Sequence, residues 1–492
     1  MRFCFERKNF VDQQINPDKI AIIGEERSLT WSQFQYEVEE LGQQLIRFKN
    51  IKQPVVIYGH KEVEFIVAIF TCIKFNITYI PIDIIYPKDR LERVIEIADV
   101  ALIINCSKQA LEVNSILKAN YKSGLIEFEN EHYSELAVND SVDQLIYIIF
   151  TSGSTGEPKG VQISTQAVQS FVHWMRNDFS FTHDDVFINT AIFSFDLSVY
   201  ELFSFAAIGA SLLLNSKTVI GHPELFLKRI GQNNGTIWVS TPSFSYIFSR
   251  IKSPEIEQNV RFFLFCGEVL PNTLARSLKN HYPDTIIYNT YGPTEATVAT
   301  SLITISEQII EKYNPLPVGF PKKDAQILIE DNEIIIIGPH VSLGYLNRPD
   351  LNEQKFFSKA NQRAFRTGDL GYFQDGMLFC SGRNDDQIKM HGYRIELNEI
   401  SAKLEEFKSV IKAETIPLIR NNEVKKIVSL IKIDEQLAKP EIQAIYDFLK
   451  RKLPIYMVPS DIKIIDYIPL NQNGKADKSK LREIYLDKNQ NQ

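Results

Sequence analysis

The chain has 492 residues, 44% of them hydrophobic, which is more than one hydrophobic core organises, so two or three domains are expected. Its 54 basic and 61 acidic residues leave a net charge of −7, which gives no electrostatic basis for nucleic acid or an anionic membrane as the main partner. The five cysteines, Cys4, Cys72, Cys106, Cys266 and Cys380, are odd in number and widely spaced, which argues against a disulfide framework or zinc site and fits a reducing cytoplasm.

The N-terminus MRFCFERKNF is charged throughout, and no apolar run reaches the ~20 residues needed to cross a bilayer. Short β-branched runs then alternate with amphipathic stretches: Pro54 to Tyr58, a helical pattern from Glu62 to Lys74, Tyr79 to Ile82, Arg90 to Ala98, and Ala101 to Asn105. Strands separated by helices of this length predict layered α/β units with largely parallel sheets. Further strands are expected at Phe262 to Phe265 and Thr285 to Tyr288, and a hairpin around Asp331-Asn332 joins Ala325 to Ile329 with Glu333 to Ile337 as a small β subdomain. After Gly382 the texture becomes polar and lysine-rich. One helical pattern, two strand-like runs and a helix around Glu441 to Lys452 follow, which predicts a smaller α+β domain beginning near Asp385. The tail from Asp487 to Gln492 reads as frayed.

Four segments carry chemistry. The apolar run Leu145 to Phe150 leads into TSGSTGEPKG, where Thr151, Ser152, Gly153, Ser154, Thr155 and Gly156 let the backbone wrap phosphate oxygens and Lys159 adds a cation. It is not a Walker loop, because Pro158 stands where that pattern needs a glycine counted from Gly153. Such a cluster also reads as a plain surface turn. The second is Asn289-Thr290-Tyr291-Gly292-Pro293-Thr294-Glu295. A loop there would put Glu295 at the carboxyl edge of a sheet, where a carboxylate can hold Mg²⁺ on a triphosphate and Tyr291 can face a purine; the alternative is a Gly-Pro turn with an exposed glutamate. Third, Arg366-Thr367-Gly368-Asp369, with Gly382-Arg383 beyond it, offers a carboxylate for ribose hydroxyls and a nearby guanidinium, or an ordinary turn. Fourth, Asn473-Gly474-Lys475-Ala476-Asp477-Lys478 puts a lysine on a glycine loop near the C-terminus, or is a solvated basic tail.

In this order the four segments resemble the motifs of the adenylate-forming superfamily. Leu453 to Pro459, Gly392 to Glu396 and Phe195-Asp196-Leu197-Ser198 extend the resemblance to amino-acid adenylation domains, from roughly Thr30 to Lys480. The resemblance implies an α/β fold, with residues 1–384 as a large adenylation core of layered α/β subdomains plus the small β subdomain. Residues 385–492 would form a small mobile α+β domain with Asp385 as hinge. It implies ATP and Mg²⁺ as cofactors. Lys475 and Glu295 would be catalytic, Glu295 would hold the metal, and Thr151 to Gly156, Lys159, Asn289 to Thr294, Asp369, Arg383 and Lys475 would bind ATP. Asp196 would pair with a substrate ammonium, a charge-assisted contact that a fatty-acid ligase does not need; its competing reading is a helix N-cap.

Asn189 to Leu202, Phe262 to Pro271 and Tyr58-Gly59-His60 resemble the D-alanine-activating ligases of Gram-positive bacteria. That likeness implies D-alanine as substrate, with Asp196, Cys266, Val298 and Lys475 contacting it. It also implies a separate phosphopantetheinylated carrier protein as acceptor, in D-alanylation of teichoic acids. Cys266 otherwise reads as a core cysteine. The sequence departs from the usual pattern at Lys74-Phe75-Asn76, at Phe365 and in a shorter hairpin around Asp331. A peptide-synthetase-type enzyme for another small amino acid and a catalytically silent ATP-binding relative are the alternatives.

Overall fold

The computed structural model describes residues 15–45, 53–111, 113, 117–122, 124–129, 145–153, 157–250, 252–390, 393–420, 423–434, 436–470 and 476–487. Its contacts divide the chain into two compact units: residues 1–84, 95–150 and 160–384, and residues 85–94, 151–159 and 385–492.

Among the described residues the first unit is built on three sheets. One has eight strands in the order Gly344–Tyr345, Lys159–Ser164, Leu145–Thr151, Tyr79–Asp83, Val55–Gly59, Leu102–Asn105, Leu117–Lys122 and Leu125–Phe128. Its centre is parallel, with Val55 opposite Tyr79 on one side and Leu102 on the other. Val55–Gly59 is buried at every position, as expected of a parallel strand covered on both faces, which is why it reads as an unbroken apolar run. The second sheet has nine strands, with Ile286–Tyr291 between the parallel Phe262–Phe265 and the antiparallel Ser301–Thr304. The third is the small β subdomain: Gln326–Glu330 and Glu333–Ile337 form the expected hairpin, and Gln362–Gln374 joins it. Asp331 and Asn332 turn that hairpin with φ of 51° and 65°, the left-handed pair favoured by two-residue hairpin loops.

Val63–Lys74 matches its helical pattern, and Thr165–Asp178 starts at Ser164, whose hydroxyl accepts from the Ala167 amide at 3.2 Å. Helix Ser198–Ile208 is buried at every position, and that includes Glu201.

In the second unit a hairpin of Gln387–Met390 and Tyr393–Glu396 leads into helix Leu397–Glu405. A three-stranded sheet pairs Val410–Arg420 and Glu423–Ile433 with Asp461–Ile464, and helix Ile442–Lys452 packs beside Leu397–Glu405. Helix Lys478–Asp487 was not expected from its polar sequence; Leu481 and Tyr485 anchor it to Ile416 and Val428. No helix among the described residues is long and apolar enough to cross a membrane.

Candidate functional site

The first half of the expected Asn289 to Glu295 loop proves to be strand, and so does Thr367-Gly368-Asp369, whose alternative reading is a turn. Asn289, Thr290 and Tyr291 are the last residues of Ile286–Tyr291, because each continues the ladder opposite Ile303, Leu302 and Ser301. Thr367-Gly368-Asp369 lies inside the strand Gln362–Gln374 and not in a turn, with Asp369 opposite Arg383.

The first unit gathers most of the candidate residues around the end of Ile286–Tyr291. Beyond that strand the chain passes Gly292 and Pro293, makes one 3₁₀ turn at Thr294–Ala296, and then places Thr297 and Val298 at φ of 49° and 72°. Glycine is required at 292, since a Cβ there would lie 2.4 Å from the Ala299 Cα and 2.9 Å from the Val298 carbonyl oxygen. Two consecutive left-handed β-branched residues are strained by about 1–3 kcal/mol each, so their surroundings must hold them.

This segment meets two carboxylates. Thr294 Oγ1 donates to Asp196 Oδ2 at 2.7 Å, and Tyr291 Oη donates to Asp369 Oδ2 at 2.7 Å. Arg383 pairs with the other Asp369 oxygen and donates to the Thr367 carbonyl at 3.3 Å. Asp196 does not cap the following helix, whose N-cap is Leu197 and has no side-chain cap bond. Asn289 Nδ2 donates to the Pro317 carbonyl at 2.8 Å, whereas its buried Oδ1 has no partner among the described residues. Glu295 is fully buried and accepts from Tyr345 Oη at 2.7 Å. Cys266 and Val298 meet through a 3.8 Å contact between the thiol and the Val298 carbonyl. Thr290 Oγ1 donates to the Phe265 carbonyl at 2.8 Å and accepts from Tyr200 Oη at 2.9 Å, which ties the two strands and the helix together there.

The sequence does not show the buried network upstream of Asp196. Residues 189–191, at the start of the segment that leads to Asp196, are held by Glu201, which accepts from the Thr190 amide at 3.1 Å and pairs with the Asn189 side chain, while Lys61 donates to Asn189 Oδ1 and the Ala191 carbonyl. Burial pushes the Glu201 carboxyl up to about 8, against the pull of Lys61, and pushes the Lys61 ammonium down to about 8. The available signal was a lone acid in the otherwise apolar SVYELFSFAAI.

The phosphate-loop candidates described are in the second unit. Ser152 Oγ donates to the Arg394 carbonyl at 2.9 Å, the Gly153 amide to Glu399 Oε2 at 3.1 Å, and Lys159 pairs with Glu396 at 3.2 Å. Glu399 also pairs with Arg90 at 2.7 Å, and burial holds its carboxyl above the ordinary range despite that partner. Asp385 begins this unit's C-terminal segment and accepts from the Gln387 amide at 3.3 Å. Ser154, Thr155, Gly156 and Lys475 lie outside the described residues.

Residues 10–346 match the AMP-binding enzyme family, and the chain belongs to it. It is 37% identical over 487 residues to the D-alanine–D-alanyl carrier protein ligase of Bacillus licheniformis, with 96% of this chain and 97% of that protein covered. The ligase of the same name from Bacillus cytotoxicus is 36% identical, over 94% and 96%. The crystal structure of the Vibrio cholerae adenylation domain AlmE with glycyl-adenosine-5′-phosphate superimposes with a TM-score of 0.80 at 19% identity, covering 98% of this chain and 96% of that one, which shows the shared fold.

Proposed function

We propose that the protein is a cytoplasmic AMP-forming ligase. It activates D-alanine with ATP and delivers it to the phosphopantetheine thiol of a separate carrier protein, for D-alanylation of teichoic acids. The observation that carries this reading is the pair of bonds to one heptapeptide: the carboxylate assigned to the amine, Asp196, and the carboxylate assigned to the ribose, Asp369, are both hydrogen-bonded to Asn289 to Glu295. A site that must hold an amino acid and a nucleotide in register has reason to fix both anchors to one rigid strand end.

In this reading the D-alanine carboxylate oxygen attacks the α-phosphorus, the bond to the pyrophosphate oxygen breaks, and pyrophosphate leaves. Asp196 orients the ammonium, Asp369 and Arg383 hold the ribose, and Tyr291 faces the purine. The unpaired Asn289 Oδ1 is available to accept from the purine amine. Ser152 to Gly156 and Lys159 hold the phosphates. Lys475 neutralises charge on the α-phosphate and the carboxylate. The thiol sulfur then attacks the acyl carbon of the adenylate and AMP leaves, after residues 385–492 have turned about Asp385 against the core of residues 1–384. The carboxylate of Glu295 has the donor chemistry to hold Mg²⁺, which would neutralise charge on the triphosphate. Cys266 and Val298 leave room for a methyl side chain.

Pyrophosphate exchange across D-alanine, L-alanine, glycine and D-serine tests the assignment. D-alanine should give the highest kcat/KM, and preference for another of the four would indicate an adenylating enzyme for a different small amino acid.

A further inference from the structure

Val298 supplies the carbonyl that meets the Cys266 thiol, so whatever fixes the left-handed pair Thr297-Val298 also fixes that side of the side-chain pocket. The pair is bracketed by one residue. Thr297 Oγ1 donates to the His340 carbonyl at 2.7 Å, and three residues later Thr300 Oγ1 lies 3.0 Å from His340 Nε2. We propose that His340 is a positioning residue for amino-acid selectivity, which holds Val298 against Cys266 without touching the substrate. The inference rests on the reading of Cys266 and Val298 as the pocket wall.

The surroundings suit a fixed, uncharged ring. His340 is fully buried, and Gly338 makes room for it, since a Cβ there would come within 2.8 Å of Nδ1. Burial, and then the nearby Lys322 ammonium, hold the imidazole well below the ordinary histidine range. A neutral ring here acts through its shape and one hydrogen bond. Thr300 is itself secured, because its amide donates to the Tyr291 carbonyl at 2.7 Å and its carbonyl accepts from the Lys322 amide at 2.8 Å. His340 therefore joins a rigid point, held by its ring, to a strained one, held by its carbonyl.

The test compares His340→Leu, His340→Gln and Thr300→Val by pyrophosphate exchange, with D-alanine and D-2-aminobutyrate as competing substrates. Loss of the bond should raise the KM for D-alanine and lower the D-alanine preference about tenfold each, with the KM for ATP changed by less than about twofold. His340→Gln, whose amide reaches the Nε2 position, should recover most of the preference. Thr300→Val should reproduce His340→Leu, and the double variant should be no worse than either single one. Equal rises in both KM values, an unchanged preference, or glutamine behaving like leucine would overturn the proposal. If His340→Leu does not fold, Thr300→Val carries the same readouts with the ring in place. Wild-type preference for D-2-aminobutyrate would count against the D-alanine assignment alone, because the variants still report whether selectivity shifts.

Discussion

Replacing Asp196 by asparagine removes one charge while leaving the shape of the site intact. Asp196 Oδ2 accepts from Thr294 at 2.7 Å, and an asparagine Oδ1 in the same place keeps that bond. What is lost is attraction between a partly buried carboxylate and the substrate ammonium. A hydrogen bond to a charged group contributes about 1.5–3 kcal/mol, and about 1.4 kcal/mol corresponds to a factor of ten, so the KM for D-alanine should rise roughly 10- to 150-fold. The KM for ATP should change little, since Asp369, Arg383 and Tyr291 form a separate cluster. Pyrophosphate exchange with each substrate varied in turn separates the two effects, and thermal unfolding checks the fold. Stability should be nearly unchanged, because Asp196 caps no helix. A rise of equal size for both substrates, or no rise for D-alanine, would refute the assigned contact.

Three further outcomes are expected. Lys475→Ala should slow adenylation about 10²-fold or more without altering circular dichroism, as loss of a preorganised charged donor does; unchanged exchange would remove Lys475 from the mechanism. Asp369→Asn breaks the pair with Arg383 and should raise the KM for ATP more than that for D-alanine, measured in the same exchange assay. Glu201 is displaced upward from 4.5 to about 8, so between those values the folded chain holds a proton that the unfolded chain has released, and this group's contribution makes stability fall as pH rises. Urea unfolding midpoints measured from pH 5 to 8 should show that downward trend flattened in Glu201→Gln.

The sequence carried the positions of the central strands because parallel strands covered on both faces leave continuous apolar runs such as Val55–Gly59. It also carried the motifs, since glycine, proline and charged residues punctuate them. It failed where tertiary pairing overrides local signals. Thr367-Gly368-Asp369 has turn composition, yet the pairing of Asp369 with Arg383 and of Leu370 with Gly382 on the neighbouring strand keeps it in a ladder. Helix Lys478–Asp487 has little apolar periodicity and is set by two anchors, Leu481 and Tyr485. Lys61 is one of several charges in His60-Lys61-Glu62-Val63-Glu64 and Glu201 is the one charge in its helix, so neither forms a motif, and only the fold brings both to Asn189. His340 likewise stands outside every motif, and only the fold brings it to Thr297 and Thr300.

The occupied donors of the loop assigned to the phosphates bear on how nucleotide binding is measured. The Gly153 amide and the Lys159 ammonium are engaged by the carboxylates of Glu399 and Glu396, and the Ser152 hydroxyl by the Arg394 carbonyl. These groups cannot serve a triphosphate at the same moment. An observed dissociation constant for ATP is then the intrinsic constant divided by the fraction of molecules whose loop is unlatched, so a tenth of the population open weakens apparent binding about tenfold. Titrations in solution would report a competition between two anions for one set of donors, one supplied by the ligand and the other by the chain itself.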